Sequence, residues 1–264
     1  MGRVIFIGAG PGAADLITVR GAQRLSTADV VLFDALTDPA LRVYAPRAHW
    51  IDVGKRGFAG AHRAPAAPAY DSTKQDAINA LIVQHALESD VVVRLKGGDP
   101  SIFGRLEEEL EALAAAGISC EVVPGVTAAI AAAADTRRPL TRRGSGRSVN
   151  LATAMTREGA MAPTRRADTE VYYMGGKQLA ALGRRLLAAG WPAATPVSVV
   201  SRAGWPDQLH SDHAIETLAQ ATVLHAGRPT VITVGAGAAA VAHGAAAAAG
   251  RAEVQHPGKR SIKL

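Results

Sequence analysis

Cysteine is nearly absent from this chain of 264 residues. The one cysteine, Cys120, excludes an intrachain disulfide framework and a metal site built from several cysteines, and we expect no metal. No run of about 18 apolar residues is present to span a membrane. The Ala-rich segment 236–249 comes nearest, and it is interrupted by glycine and by His243. Because the amino terminus also lacks an export signal, we expect a cytoplasmic protein without a membrane partner.

Aromatic residues are scarce as well, at 4% of the chain, so the core has to be built from Ala, Val, Leu and Ile. The formal net charge is +6, from 29 Lys and Arg against 23 Asp and Glu. The basic residues are dispersed and are not interleaved with aromatic ones, which disfavours a nucleic-acid-binding module. The positive balance instead suits an acidic ligand such as a polycarboxylate or a phosphate.

Short apolar runs typical of strands alternate with amphipathic helical patterns along the whole chain. VIFIG at 4–8 and VVVRLK at 91–96 predict strands, and RLEEELEALAAAG at 105–117 predicts a helix that Gly117 ends. This alternation is typical of an α/β fold. We predict two α/β domains with mostly parallel strands and a ligand cleft between them.

The Arg-, Pro- and Gly-rich stretch TRRPLTRRGSGRS marks the predicted boundary between the two domains. The predicted organisation is an amino-terminal domain, an interdomain connection, a carboxyl-terminal domain and a frayed tail, at residues 1–135, 136–147, 148–250 and 251–264 respectively. Within the first domain, residues 57–75 contain two prolines and no periodicity, which predicts a long loop of the kind that often serves a binding site.

The first glycine loop, GAGPGA at 8–13, has two possible interpretations. It follows an apolar run and fits the pattern G-x-G-x-x-G/A, with Asp34 at the end of the next apolar run, as in a dinucleotide-binding unit of an NAD(P)-dependent oxidoreductase. Pro11 argues against a pyrophosphate cradle, because proline has no N–H to donate.

Similar glycine turns follow other predicted strands: KGGDP, VPGVTAA, YMGG and SRAG. Loops at the carboxyl ends of parallel strands are where α/β folds place their ligands. Glycine loops from both halves therefore predict a cleft ligand that contacts both domains, and an oxidoreductase would leave the later loops without a role.

Together these motifs resemble those of the uroporphyrinogen-III C-methyltransferases, members of the tetrapyrrole methylase family. The resemblance spans residues 3–235, and LKGGDPSIFGR followed by VPGVTAA carries most of it. It implies two methyl transfers from S-adenosylmethionine to ring carbons of uroporphyrinogen III, which give precorrin-2 for sirohaem, cobalamin or related tetrapyrroles, with S-adenosylhomocysteine as by-product. It also implies a homodimer. Another precorrin C-methyltransferase of the same fold stays open as an alternative.

The resemblance implies that the methyl donor lies against residues of both halves. These are Pro11, Gly97, Gly98, Asp99, Ile102, Thr127, Ala128, Met174, Ala203 and Pro229. Glycines leave room for a compact, bent donor, and Asp99 offers a carboxylate to its polar groups. An ordinary Asx turn before Pro100 would also account for Asp99.

Catalysis and substrate binding are assigned by the same resemblance. Asp34 matches a proton acceptor, Lys55 a proton donor, and Arg105 a substrate-facing residue that takes part in proton removal. A plain i,i+3 ion pair with Glu108 would also account for Arg105. Arg56, Arg142 and Arg143 would pair with the eight carboxylates of the tetrapyrrole, and Glu108, beside Arg105, would also lie in the substrate site.

Three features depart from the family pattern. Leu106 and Glu107 replace two glycines after FGR, Arg142 stands where histidine is usual, and the 57–71 segment is longer and richer in Pro and Ala. These departures concern loop geometry and substrate preference, and they leave the predicted fold and donor unchanged.

Overall fold

The computed structural model describes residues 2–54, 75–154 and 167–241. Lys55, Arg56, the 57–71 segment and the 251–264 tail lie outside the described residues. The described ranges contain ten strands: β1 Arg3–Gly8, β2 Val30–Phe33, β3 His49–Asp52, β4 Val91–Lys96, β5 Cys120–Val123, β6 Val149–Thr153, β7 Thr169–Tyr173, β8 Pro196–Ser201, β9 Leu209–Ala214 and β10 Thr230–Gly235.

Six α-helices accompany the strands in these ranges. They are α1 Val19–Leu25, α2 Gln75–Glu88, α3 Leu106–Ala115, α4 Ala128–Asp135, α5 Leu179–Ala188 and α6 Ala221–Leu224. None of the helices in the described part of the chain is long and apolar enough to cross a membrane.

The first sheet has the strand order β3-β2-β4-β1-β5, and all its pairs are parallel. The central strands β1 and β4 are buried on both faces, which explains why they are rich in apolar residues. Val4 and Phe6 pack on one face with α2 and α3, whereas Ile5 and Ile7 pack on the other with Leu25 of α1.

The second sheet has the order β6-β7-β10-β8-β9. Helix α5 covers one face, and the small residues of α4 cover the other against Val171, Val200 and Val231. Helix α4 follows the last strand of the first sheet and packs on the second, so it joins the two sheets.

The predicted α/β class is confirmed, with one correction to the strand directions. Strands β6 and β7 are parallel, but β10 pairs antiparallel with both β7 and β8, and β8 pairs antiparallel with β9. The prediction of mostly parallel strands is therefore right for the first sheet and wrong for the second. An apolar strand covered on both faces has the same residue pattern in either direction, so the pattern could not distinguish them. The domain bounds stay a prediction.

A histidine network holds β9, at the edge of the second sheet, to its neighbours. His225 Nδ1 lies 2.6 Å from Ser201 Oγ, and its Nε2 lies 2.8 Å from Ser211 Oγ, which in turn lies 2.7 Å from His213 Nε2. His225 is fully buried. Burial, followed by the nearby charges of His213 and Arg228, lowers the pKa of His225 to about 4.

This network makes the fold acid-labile. Between about pH 6.5 and pH 4 the unfolded chain binds a proton at His225 that the folded chain does not, so the free energy of unfolding falls as the pH falls. The expected loss is about 3 kcal/mol. Urea denaturation at pH 7 and pH 4.5 should show a weaker pH dependence for His225→Gln than for the wild type. The same change at exposed His49 is the control, and equal pH dependence in all three proteins would contradict the assignment.

Candidate active site

Four neighbouring strands of the first sheet have their carboxyl ends on one side of the sheet, and several of the predicted site residues follow them. Asp34 directly follows β2, Gly97–Asp99 follow β4, Ala9–Pro11 follow β1, and Pro124–Thr127 follow β5. Since these strands are adjacent in the order β2-β4-β1-β5, the sheet itself brings the four loops together.

Glycines allow three of these loops to meet backbone to backbone. Gly10 and Gly98 form a short antiparallel bridge, with N···O distances of 3.3 and 2.7 Å. A Cβ on Gly8 would lie 2.5 Å from Gly125 Cα, and a Cβ on Gly125 would overlap the Gly98 carbonyl oxygen. The contact between the loops therefore requires glycine at Gly8 and Gly125, whereas Gly98 is favoured by its left-handed backbone, with a φ of +71°.

The first glycine loop also contacts the second half of the chain. The Ala13 N–H donates to the Gly204 carbonyl at 2.7 Å, and Trp205 Nε1 donates to the Pro11 carbonyl at 3.0 Å. No α-helix starts directly after the loop, because a short 3-10 turn intervenes and α1 begins only at Val19. A dinucleotide site would need a helix amino terminus at the loop, so the loop serves instead as the junction between the halves.

Asp99 fastens two of the loops to each other. Its Oδ1 accepts the Ser101 N–H at 2.8 Å, and its Oδ2 accepts the Gly125 N–H at 2.8 Å. The Asx turn before Pro100 is therefore present, and the second bond ties the loop after β4 to the loop after β5. The contact of Asp99 with a donor stays a prediction.

Residues of the second half complete this side of the cleft. Thr127 Oγ1 lies 2.8 Å from the Tyr173 hydroxyl, and the Tyr173 ring packs on Phe103 with centroids 5.1 Å apart. Met174 follows with a φ of +57° and is partly exposed. The structure thus brings Thr127, the segment that contains Ile102, and Met174 to one place through Tyr173.

The remaining predicted donor residues lie along the same contact between the two halves of the chain. Ala203 is buried, and its neighbour Gly204 lies against Pro11, where an added Cβ would be 3.1 Å from the proline Cγ. The Pro229 carbonyl accepts the Arg202 N–H at 2.8 Å. Ala128 is the first residue of α4.

Asp34 is held by a cation that sequence reasoning missed. Its Oδ1 accepts from Arg94 Nη2 at 2.6 Å, and its side chain is 13% exposed. Arg94 Nε in turn donates to Glu109 at 3.0 Å, and Lys96 Nζ donates to the other oxygen of Glu109. The signal in the sequence was the placement of two cations, Arg94 and Lys96, within an otherwise apolar strand.

These buried charges carry a large energetic constraint. Arg94, Lys96 and Glu109 are at most 1% exposed, and removing one partner from such a group destabilises a protein by about 3–5 kcal/mol. Burial and the charge of Arg94 lower the pKa of Lys96 to about 8, against the opposing effect of Glu109 and Asp34. Lys96 therefore changes charge near physiological pH.

Arg105 and Glu108 form an i,i+3 ion pair, which is one of the two interpretations of Arg105 that the sequence allowed. Arg105 Nε lies 2.6 Å from Glu108 Oε1, and both side chains are about two-fifths exposed. Arg105 precedes α3 with a φ of +58°. Leu106, which replaces a family glycine, packs against the first core. The role of this pair toward a substrate stays a prediction.

The two remaining predicted arginines lie in a turn before the second sheet. Arg142 and Gly146 form a short bridge, and the Arg142 guanidinium donates to the Ala239 carbonyl. Arg143 is exposed. In the described ranges, no group of three or more His, Cys, Asp or Glu side chains is placed to hold a metal ion.

Comparison with models of protein families identifies the family of this chain. The model of the tetrapyrrole (corrin/porphyrin) methylases matches residues 3–222. The chain belongs to the tetrapyrrole methylase family. The resemblance predicted from LKGGDPSIFGR and VPGVTAA is thereby confirmed.

Relatives in the family carry two kinds of name. The chain is 42% identical over 206 residues to the uroporphyrinogen-III C-methyltransferase of Pseudomonas aeruginosa, an alignment that covers 76% of this chain and 80% of that one. It is 44% identical over 236 residues to siroheme synthase 1 of Yersinia pseudotuberculosis, covering 87% of this chain and 47% of the other. The chain spans about half the length of the siroheme synthases it matches.

A solved structure of the family has the same fold. Uroporphyrin-III C-methyltransferase from Thermus thermophilus, in complex with S-adenosylhomocysteine, matches with a TM-score of 0.74 and 33% sequence identity. The match covers 89% of this chain and 97% of that one. The predicted two-sheet α/β architecture is therefore that of a tetrapyrrole methylase.

Two glycine substitutions test the contact between the loops. In Gly125→Ala the new methyl group overlaps the Gly98 carbonyl and lies 2.7 Å from Gly8 Cα, so the loops must separate. We expect the free energy of unfolding to fall by about 1–3 kcal/mol. In Gly97→Ala the new methyl group meets only Leu36 Cβ, at 3.6 Å, and stability should stay near that of the wild type. Equal stability of the two variants in urea denaturation would contradict this packing.

Proposed function

We propose that this chain is a uroporphyrinogen-III C-methyltransferase, which transfers two methyl groups from S-adenosylmethionine to ring carbons of uroporphyrinogen III and gives precorrin-2. Family membership and the relatives named for this activity support the proposal. One observation carries it. In the loop after β4, the backbone at Gly97 has open space beside it. The end of β7 is held beside the loop after β5 by the hydrogen bond between Tyr173 and Thr127.

The residues present fit a compact donor. A Cβ on Gly97 would meet only Leu36, so the backbone there is open to a ligand. The buried Ala203, the partly exposed Met174 and the backbone of Thr127 offer small or soft apolar contacts nearby. S-adenosylmethionine supplies the electrophilic methyl group when it is bound, and these residues would hold it so that the methyl faces the tetrapyrrole.

Asp34 is the residue we assign to proton removal. Methylation of a ring carbon requires the macrocycle to lose a proton, and a positioned general base contributes about two to four orders of magnitude to the rate. Asp34 lies at the same sheet edge as the donor loops, is only slightly exposed, and has Arg94 fixing one of its oxygens. Arg105, which begins the turn into α3, would face the substrate. Lys55 keeps its predicted role as proton donor.

The tetrapyrrole carries eight carboxylates, which gives the net charge of +6 a function. Arg56, Arg142 and Arg143 are the proposed carboxylate contacts, with Glu108 beside Arg105. Arg142 already donates to the Ala239 carbonyl, so it would offer the substrate its remaining N–H groups. We further propose that the enzyme is a cytoplasmic homodimer that feeds sirohaem or cobalamin synthesis and binds no nucleic acid.

Direct product analysis tests the proposal. The full chain is incubated anaerobically with uroporphyrinogen III and methyl-labelled S-adenosylmethionine, and the tetrapyrrole is analysed by mass spectrometry. Addition of two labelled methyl groups is expected. Transfer only to a later, already methylated precorrin would favour another precorrin methyltransferase. Tight NADP binding without S-adenosylmethionine binding would refute both assignments.

Two variants separate chemistry from donor binding. In Asp34→Asn and Arg105→Ala we expect kcat to fall by about 10²-fold or more. The dissociation constant for S-adenosylmethionine should stay within about twofold, because neither residue is among the donor contacts. Steady-state kinetics and isothermal titration calorimetry measure the two quantities. A full loss of donor affinity in either variant would place that residue in the donor site instead.

Gly97→Ala tests the donor position. The methyl group fits the protein but fills the space that we assign to the donor, so affinity for S-adenosylmethionine should fall by at least tenfold while stability is kept. Gly117→Ala, after the end of α3, is the control for affinity: its Cβ meets nothing within 4 Å, and its φ of +68° makes alanine cost some stability without changing a proposed donor contact. Unchanged affinity in Gly97→Ala would mean that the donor binds elsewhere.

A further inference from the structure

A buried charge cluster lies beneath the proposed site and consists of Asp34, Arg94, Lys96 and Glu109. Glu109 is its centre, because it accepts from Arg94 Nε at 3.0 Å, from Lys96 Nζ, and from Gln75 Nε2 at 3.3 Å. Arg94 extends the cluster to Asp34 through a bond of 2.6 Å. The cluster members other than Asp34 are almost completely buried, so they do not contact a substrate.

The cluster connects three elements that the proposed reaction uses. Asp34 ends β2, Lys96 directly precedes Gly97 at the end of β4, and Glu109 lies on α3, which begins after Arg105. A Cβ on Gly104 would lie 3.1 Å from Lys96 Cε, so the lysine stem packs directly below the turn that leads to Arg105.

We propose that Arg94, Lys96 and Glu109 are positioning residues that hold the Asp34 carboxylate in one orientation, and that the charge of Lys96 sets how firmly they do so. This inference rests on the proposed function for its kinetic consequence. The physical coupling between Lys96 and Asp34 is measurable without any substrate.

The charge balance gives the reason. With Lys96 protonated, two cations face two carboxylates: Lys96 pairs with Glu109, and Arg94 bridges Glu109 and Asp34. When Lys96 loses its proton, the guanidinium of Arg94, which stays protonated, is the one cation left in the cluster for both carboxylates. Among the other described side chains, Gln75 of α2, a neutral amide, bonds to Glu109. The charge of Arg105, at the start of α3, also acts on Glu109, but Arg105 is paired with Glu108 and stays protonated. Loss of the Lys96 proton therefore draws Arg94 toward Glu109 and loosens its hold on Asp34.

The expected kinetic consequence is a fall in kcat as the pH rises through about 8, the pKa that burial gives Lys96. A role of the cluster in stability alone would lower the fraction of folded enzyme at alkaline pH and leave kcat per folded molecule unchanged, so the folded fraction is measured at each pH.

Two variants at one position test the proposal. Lys96→Met keeps the length of the side chain and removes its charge, and we expect kcat at pH 7 to fall at least tenfold and to lose its dependence on pH around 8. Lys96→Arg restores a cation that does not titrate, and it should recover most of the activity, again without the alkaline fall. A Lys96→Met enzyme with the wild-type pH profile would overturn the proposal.

A control removes a largely buried cation elsewhere. Arg138 is 9% exposed and pairs with Asp212, 2.6 Å away, in the second half. Arg138→Met should lower stability while the alkaline fall in kcat remains. If Arg138→Met also abolished that fall, the limb would reflect loss of fold and the proposal would be wrong.

Nuclear magnetic resonance tests the coupling between Lys96 and Asp34 without measuring enzyme activity. With carbon-13 in the Asp carboxyl carbons, the Asp34 resonance, assigned with Asp34→Asn, should shift near pH 8 in the wild type and not in Lys96→Met. Absence of this shift in the wild type would refute the coupling. If the shift is present but uroporphyrinogen III is not methylated, the cluster stands and the proposed function fails.

Discussion

Backbone contact between three loops is the constraint on which the site depends. Gly8, Gly98 and Gly125 follow three neighbouring parallel strands, and any side chain at Gly8 or Gly125 would force the loops apart. Asp99 then bonds the second loop to the third. The same packing that closes the edge of the sheet leaves open backbone at Gly97, so the room for a ligand follows from how the loops meet.

The two sheets join at this edge through polar and apolar contacts of different kinds. Trp205 and Gly204 hold the first glycine loop by hydrogen bonds, while α4 leaves the last parallel strand and covers the second sheet with alanines. Below the edge, ion pairs replace apolar packing around Asp34. A buried ion-pair cluster is costly to desolvate. We propose that this cluster fixes the Asp34 carboxylate next to the donor site.

Much of this architecture could be predicted from the sequence, and the limits have physical causes. The apolar run of β1 and the glycine turn after it predicted the strand and its loop, and LKGGDP with VPGVTAA predicted the family. Strand direction in the second sheet could not be predicted, because strands buried on both faces look alike in either orientation. The partner of Asp34 was missed because Arg94 is 60 positions away along the chain, and only the pairing of β2 with β4 brings them together. Glu109, 15 positions beyond Arg94, reaches it through the packing of α3 on the sheet.

We propose that a methyl donor lies where the loops of the first sheet face the segments after β7 and β8. A crystal structure of the chain with S-adenosylhomocysteine would locate the donor. We expect the ligand against the Gly97–Asp99 backbone, with Thr127, Met174 and Ala203 around it and Asp34 on the open side toward the substrate. A ligand bound instead along the first glycine loop in the manner of a dinucleotide, away from Gly97, would contradict it.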